Sequence, residues 1–205
     1  QLKRLAAFQN PEFYRRQSLR LSTSLTPRVI CCSEITDGYL SLPRGCLDDI
    51  CCVLGEYGIK TNMRDERIAG KAKSFRFHGK LTKEQKHAVK KILSSEIGVL
   101  SASPGTGKTV IAIYAIAKRK TNTLILVHRK PLLEQWRKQL SVFLGTDEDK
   151  IGQIGGGKDK ATGILYVAMI QSLEKKGSVD DRVAGYGFVI IDECHHVSAV
   201  SFERV

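Results

Sequence analysis

Two short runs of mostly apolar residues constrain the fold of this chain most. Thr123–Val127 and Phe188–Ile191 lack charged residues and lack the polar/apolar alternation of a half-exposed strand. Strands of this kind are buried on both faces, which is typical of a parallel sheet covered by helices. Because helical patterns alternate with these runs, residues 81–205 are predicted to form an α/β layered domain. The predicted elements are a helix at 82–93, a strand at 97–102, a helix at 108–119, a strand at 123–128, a helix at 131–144 and strands at 151–154, 164–169 and 187–192.

The first 80 residues have a different pattern and predict a small α+β accessory domain. Its predicted elements are a helix at 11–20, strands at 28–32 and 39–42, a helix opened by Pro43 and closed by Gly58, and strand-like pieces at 59–63 and 74–78. DNA binding is one candidate role for this domain, because Arg15, Arg16 and Arg20 lie on one predicted helix. A solvated basic face is an equally good reading of these arginines.

Charge, hydropathy and cysteine content narrow the classes of function. Lys and Arg number 33 against 21 Asp and Glu, a net charge of +12 that makes a polyanion the natural partner. The longest apolar run, at 110–117, is far shorter than the ~20 residues that a membrane span needs. The six cysteines lack a C-x-x-C pair and are predicted to be reduced and buried, as in a cytoplasmic protein. The chain does not begin with Met, and we expect it to be a piece of a longer protein.

A glycine-rich loop at 102–109 predicts a phosphate site. The loop reads A-S-P-G-T-G-K-T and lies between a predicted strand and a predicted helix. Its glycines allow backbone N–H groups to surround a phosphate, Lys108 would reach the β- and γ-phosphates, and the Thr109 hydroxyl would ligate Mg²⁺. Ala102 stands where the full phosphate-loop pattern has Gly. The alternative is a glycine-rich turn without a ligand.

An acidic pair follows the last predicted strand. Asp192 and Glu193 come directly after Phe188–Ile191, so both lie where parallel sheets bind ligands. We expect Asp192 to hold the Mg²⁺ shell and Glu193 to polarise an attacking water. Two alternatives are a metal cluster formed by the Asp, Cys and His residues at 192–196 and a purely structural role for the two carboxylates.

The two sites together resemble motifs I and II of the superfamily 2 DExH-type helicases and translocases. The A-x-x-G-x-G-K-T and D-E-x-H spellings are similar to the branch that holds the DNA-repair helicase XPB and restriction-enzyme motors. The stretch L-T-K-E-Q at 81–85 resembles the segment whose glutamine meets adenine, here Gln85. The stretches at 126–136 and 167–173 resemble the motifs of that family that contact the nucleic-acid backbone. The resemblance covers residues 81–205.

The resemblance implies roles for individual residues. It implies nucleic-acid contacts for Arg129, Lys130, Gln171 and Ser172, and it makes His195 a link between the nucleotide and nucleic-acid sites. Catalytic roles fall to Lys108, Asp192, Glu193 and His195. The predicted ATP-binding residues are Gln85, Ser103, Pro104, Gly105, Thr106, Gly107, Lys108 and Thr109, and the predicted Mg²⁺ ligands are Thr109 and Asp192.

The resemblance also implies the architecture and the activity. Residues 81–205 would be the first part of a RecA-like P-loop motor domain of a DNA helicase or translocase, with ATP and Mg²⁺ as cofactors and RNA as an alternative to DNA. Such motors have a second RecA-like domain, and they carry an S-A-T strand between the strands of the two ATP motifs. Neither is found in this sequence. The sheet is therefore expected to have a gap, or the strands of the two ATP motifs are expected to pair differently from those of the family. The chain alone is expected to turn over little ATP.

Several alternatives remain open. The chain could be a P-loop nucleic-acid-binding ATPase without unwinding activity, a small-molecule kinase, or a nucleic-acid-binding module with a degenerate ATP site. Arg129 and Lys130 could be a solvated charge pair. The glycine run at 155–157 favours a mobile loop over a second anion site. Trp136 shares a predicted helix face with leucines, so it is predicted to be a core residue instead of a base-stacking platform.

Overall fold

The computed structural model describes residues 1–160, 162–175, 178–179 and 181–194. The chain folds into two compact units, Gln1–Asp65 and Glu66–Val205. Each unit is described by itself. In the described part of the chain, no helix is both long and apolar enough to cross a membrane.

The first unit is a small α+β unit with short elements. It contains α1 (Leu2–Leu5), β1 (Ala7–Gln9), α2 (Pro11–Ser18), β2 (Val29–Cys31), β3 (Glu34–Thr36), β4 (Tyr39–Ser41), a 3-10 turn (Arg44–Cys46) and α3 (Leu47–Glu56). β1 pairs antiparallel with β2, and β3 with β4. Buried Asn10 caps α2, since its Oδ1 accepts from the Glu12 backbone N–H at 3.0 Å. The strands predicted at 59–63 and 74–78 are wrong, because both stretches lack regular structure.

The second unit has the alternating elements that the sequence predicts. It contains α4 (Lys83–Leu93), α5 (Lys108–Arg119), β5 (Thr123–Val127), α6 (Lys130–Leu144), a 3-10 turn (Glu148–Lys150), β6 (Gly152–Gly155), β7 (Lys158–Lys160), β8 (Leu165–Met169), α7 (Ile170–Leu173), β9 (Glu174–Lys175), β10 (Ser178–Val179), a 3-10 turn (Asp181–Gly185) and β11 (Phe188–Ile191). The predicted bounds of α5 are confirmed at both ends.

Five of these strands form one sheet in the order β11-β5-β8-β6-β7, and all are parallel except β7. Every residue of β5 is buried, because alternate side chains enter two different cores. Ile125 and Val127 pack in the cluster that contains residues of α5 and α6. Leu124 and Leu126 pack in the opposite cluster, with residues of α7. The predicted α/β class is confirmed, and this two-sided burial explains the unbroken apolar run.

The strand predicted at 97–102 is wrong. These residues have no regular structure, and Val99 is 78% exposed. In the described part of the chain β11 has one sheet neighbour, β5, and its Val189 side chain is 46% exposed. An apolar stretch becomes a strand only where a neighbouring strand satisfies its N–H and C=O groups. Among the described residues the sheet therefore ends at β11, and its five strands are hydrogen-bonded to one another without a gap.

The segment 66–80 packs with the second unit, although the sequence predicts a boundary at residue 80. Ala72 forms an isolated antiparallel bridge with Thr121, and the His78 N–H donates to Phe143 O at 2.7 Å. Phe75 and Phe77 pack against the α5/α6 core cluster. These contacts join residues far apart in the chain, and for that reason the sequence pattern does not reveal them.

The structure corrects the predicted burial of the cysteines and shows the location of the glycine run. The cysteines are free, as predicted, but none of the six is buried: Cys46 and Cys51 are half-buried and the other four are exposed. The glycine run at 155–157 is the turn of the β6–β7 hairpin, and all three glycines have a positive φ of 66–105°. A turn of this shape favours glycine, because other residues are strained there.

Candidate nucleotide and nucleic-acid sites

The candidate site lies at the carboxyl end of the sheet, because the helices run opposite to the strands. The guanidinium of Arg119, at the end of α5, lies 5.7 Å from the centre of the Phe188 ring at the start of β11. Hence the first residue of α5, Lys108, lies toward the other end of β11, where Asp192 follows. α6 begins three residues after the end of β5, and α7 begins directly after β8, so the start of α6 and the short α7 lie at this edge as well. Such an edge is where open α/β sheets bind ligands.

The loop before α5 is closed by its own hydrogen bonds. Ser103 O accepts from the Thr106 hydroxyl at 2.8 Å, while Gly105 and Gly107 have φ values of 82° and 80°. The Lys108 ammonium donates to Ala102 O at 2.8 Å and to Ser103 O at 3.4 Å. Among the described residues the partners of Lys108 are these two neutral carbonyls, and no acidic side chain there pairs with its charge.

The start of α5 is suited to an anion. Its N-cap, Gly107, provides no side-chain cap, and the first turn contains no acidic residue. The first backbone N–H groups of a helix lack partners inside the helix, and they carry the positive end of the helix dipole. Together with the Lys108 ammonium and the half-buried Thr109 hydroxyl next to it, this donor set fits a phosphate group with an associated Mg²⁺.

Gln85 ties α4 to this loop. Thr82 and Gln85 form a capping box: the Thr82 hydroxyl accepts from the Gln85 N–H, and Gln85 Oε1 accepts from the Thr82 N–H at 3.0 Å. The Gln85 amide also donates through Nε2 to Thr106 O at 3.1 Å. Hydrogen bonds from the residue's own backbone N–H and from the Thr82 hydroxyl lower the pKa of Glu84, in the first turn of α4. The predicted adenine residue thus contacts the phosphate-type loop directly.

Asp192 ends β11 with both carboxylate oxygens accepting a hydrogen bond. Oδ1 accepts from the Glu193 N–H at 3.1 Å, and Oδ2 accepts from the Trp136 indole N–H at 2.7 Å. The Asp192 N–H donates to Leu126 O at 3.0 Å and holds the residue against β5. Glu193 follows with a left-handed backbone, φ 55°, and an exposed side chain. The predicted catalytic residue His195 lies outside the described residues.

The four predicted nucleic-acid residues lie on two neighbouring strand ends. Arg129 is the N-cap of α6 and Lys130 its first residue, and both are exposed. The Gln171 amide on α7 donates to His128 O at 3.2 Å, which joins the two segments. A methyl group on Gly155 would lie 2.7 Å from the Ser172 hydroxyl, so Ser172 borders the glycine turn. The Lys130 ammonium lies 3.9 Å from a carboxylate oxygen of Glu134, an exposed and weak pair.

Sequence reasoning missed one contact in this site. Trp136 is 2% exposed and belongs to the α5/α6 core cluster, as its helical spacing predicts. A buried tryptophan in the sequence predicts that some acceptor lies near its indole N–H, because a buried indole N–H normally requires one. The sequence does not identify that acceptor, because 56 residues separate the two partners.

Comparisons with known proteins agree with this arrangement. The family model described as type III restriction enzyme, res subunit, matches residues 78–205. A relative from Halobacterium salinarum that carries the name Rad25 is 32% identical over 142 residues, which cover 67% of this chain and 23% of the relative. The DNA 3'-5' translocase XPB2 of Sulfurisphaera tokodaii is 29% identical over 118 residues, 58% of this chain and 26% of that protein. The chain thus spans about a quarter of the length of these relatives.

A solved structure has the same fold. The UvsW helicase from bacteriophage T4 superimposes with a TM-score of 0.66 at 18% identity, covering 100% of this chain and 78% of the helicase chain. At this identity the similarity shows the fold: the sheet and its flanking helices are those of a helicase RecA-like domain.

Proposed function

The chain belongs to the family of the type III restriction enzyme res subunit, and on that premise we propose that it forms the ATP-binding part of a DNA helicase or translocase. In this proposal a second motor domain closes over the carboxyl edge of the sheet, as the family resemblance implies. A cytoplasmic location, where ATP and DNA are both present, accompanies the proposal.

One observation carries it. The end of α5 packs on the start of β11, which supports a common location for the loop that begins α5 and the carboxylate that follows β11, at one edge of the sheet. A cationic loop and an acid placed this way form a site for a phosphate chain bridged to a divalent cation. Lys108 and Asp192 are 84 residues apart in the sequence, so a common location of the two side chains depends on the fold.

Within the proposed site each side chain has a distinct task. Lys108 exchanges its carbonyl partners for the β- and γ-phosphates, and the N–H groups at the start of α5 bind the β-phosphate. Thr109 and Asp192 would hold Mg²⁺, which when bound neutralises the charge that develops on the phosphates. Glu193 orients the attacking water, and its exposed side chain directly follows the proposed Mg²⁺ ligand Asp192.

The proposed nucleic-acid contacts come from the residues that follow β5 and β8. Arg129 and Lys130 sit at the start of α6, which has no side-chain cap, so cationic side chains and free N–H groups are presented together. Such groups contact phosphates without reading base sequence. Gln171 and Ser172 follow β8, next to β5 in the sheet, at a strand spacing of about 4.8 Å. In this proposal one nucleic-acid backbone contacts both segments, 129–130 and 171–172.

Thermal unfolding with three nucleotides tests the ATP site. With Mg²⁺ present, ATP and ADP at about 100 times their Kd should each stabilise the second unit by about 2.7 kcal/mol. For a unit of this size that is a rise in Tm of about 5–10 °C. AMP at the same concentration is the matched control, because it has the same base and sugar but no β-phosphate for the loop to bind. Equal stabilisation by AMP, or none by ATP, would refute the proposed site.

The salt dependence of DNA binding tests the second set of residues. Replacing both Arg129 and Lys130 by alanine should lower the slope of log Kd against log salt concentration by about 1.4, since each phosphate contact on a single strand contributes about 0.7. The matched control replaces Lys90 and Lys91, two exposed lysines on α4, and removes the same charge. An equal change in slope for both pairs would mean that only net charge attracts DNA.

A further inference from the structure

Trp136 is a core residue whose indole N–H finds its acceptor on a predicted site residue, Asp192. Its indole N–H donates to Asp192 Oδ2 at 2.7 Å, while 2% of its surface is exposed. Trp136 is the only tryptophan of the chain. The two residues come from different elements, α6 and the end of β11, and among the described residues no other side chain donates to this carboxylate. The contact is therefore the one side-chain hydrogen bond among the described residues that orients the Asp192 carboxylate.

The hydrogen bond constrains the carboxylate in a specific way. An indole N–H is a donor only and keeps its proton at any physiological pH, so its partner must present an acceptor. The Glu193 N–H occupies the other oxygen, Oδ1, at 3.1 Å. Each carboxylate oxygen has two lone-pair positions, which leaves one position on each oxygen for a cation or for its bound water.

The donor itself is held rigidly. Trp136 lies near the middle of α6, a helix of 15 residues, and packs in one core cluster with Leu133 and Leu140 on the same helix and Val127 on β5. A large buried ring in close packing has few alternative rotamers. The Asp192 backbone is fixed to the same strand through Leu126 O. Donor and acceptor are thus anchored by one rigid pair of elements.

We propose that Trp136 is a positioning residue of the magnesium site, which holds the Asp192 carboxylate in its cation-binding orientation through the indole N–H. The inference rests on the proposed function, since it concerns the same site. Partners that orient a ligating carboxylate typically contribute about 10- to 100-fold to metal affinity. Trp136 has no contact with the cation or the nucleotide in this scheme and acts only through Asp192.

A double-mutant cycle distinguishes positioning from a structural role. Trp136→Phe keeps most of the ring and removes the donor, so it should raise the Mg²⁺ concentration needed for half-maximal binding of a fluorescently labelled ADP about tenfold. Binding of the same probe in EDTA should not change. In an Asp192→Asn background, Trp136→Phe should have no further effect on the Mg²⁺ midpoint. An equal shift in both backgrounds would overturn the proposal, because a structural defect adds regardless of Asp192.

The wild-type protein offers a second readout that leaves the tryptophan in place. Adding Mg²⁺ to the ADP-bound protein should change the emission of Trp136, because the cation draws charge from the carboxylate to which the indole is bonded. Asp192→Asn should remove that response while the emission of the nucleotide-free protein stays close to wild type. A response that persists in Asp192→Asn would contradict the proposal, even if Trp136→Phe did not fold.

The outcomes separate this inference from the proposed function. If the wild-type protein does not bind the labelled ADP, the proposed function fails and the positioning role fails with it. If it binds with an Mg²⁺ midpoint that Trp136→Phe leaves unchanged, the nucleotide site stands and the positioning role is wrong. A tenfold shift that vanishes in the Asp192→Asn background supports both.

Discussion

Replacing Lys108 by alanine is expected to remove the stabilisation of the second unit by Mg·ATP. In the structure the Lys108 ammonium is held over the loop by Ala102 O and Ser103 O, so it is already at the mouth of the phosphate site. Hydrogen bonds to charged groups contribute about 1.5–3 kcal/mol each, and Lys108 would make at least two of them. Nucleotide affinity should fall about 100-fold or more, measured by titrating ATP while following the shift in Tm.

Lys118→Ala provides the matched control for this experiment. Lys118 lies on the same helix, ten residues further along, or about 15 Å at the rise of an α-helix. The substitution removes the same charge and leaves the loop intact, so the ATP-dependent shift should stay near wild type. If both variants lost binding equally, ATP would be attracted by the general positive charge of α5. If neither lost it, ATP would bind somewhere else.

The sequence predicts those parts of the fold that depend on local patterns. α5, α6 and the buried strand β5 follow from apolar periodicity and from a run that is buried on both faces. β11 forms where the sequence predicts a strand, but its predicted burial on both faces is wrong, since Val189 is 46% exposed and Ile191 39%. The capping box at Thr82 is likewise a local signal. The segment 97–102 has the same apolar character, yet it is not a strand, because a strand also needs a neighbour. Pairing is a property of the sheet, which the segment's own residues do not contain.

In the candidate site, too, local features can be predicted from the sequence and long-range contacts cannot. The loop at 102–109 and the acid at Asp192 are recognisable because their spacing and their place between elements can be read along the chain. Two contacts that hold the site together, from Gln85 to Thr106 O and from Trp136 to Asp192, join residues 21 and 56 positions apart. Contacts of this kind depend on packing geometry, and a single sequence does not show them.

One buried side chain ties the segment 66–80 to the sheet. Asn122, which is 2% exposed, accepts through Oδ1 from the backbone N–H groups of Lys71 at 2.8 Å and Gly187 at 3.1 Å. Its Nδ2 donates to Gly185 O at 2.8 Å. Gly70 lies directly against this network with a φ of 75°, and a Cβ there would overlap Asn122 Oδ1 and the backbone of Gly187. The position therefore requires glycine for two separate reasons.

Gly70→Ala should lower the free energy of unfolding of the second unit by about 4 kcal/mol or more. The left-handed backbone costs an alanine about 1–2 kcal/mol, and displacing the Gly187 backbone leaves buried N–H groups unpaired at about 1–3 kcal/mol each. Urea unfolding followed by Trp136 emission measures this, since the single tryptophan lies in that unit. Gly163→Ala is the matched control, with φ 71° and nothing within 4 Å of its Cβ, and should cost only the backbone share. Equal losses in the two variants would mean that the contact with Asn122 and Gly187 contributes nothing to stability.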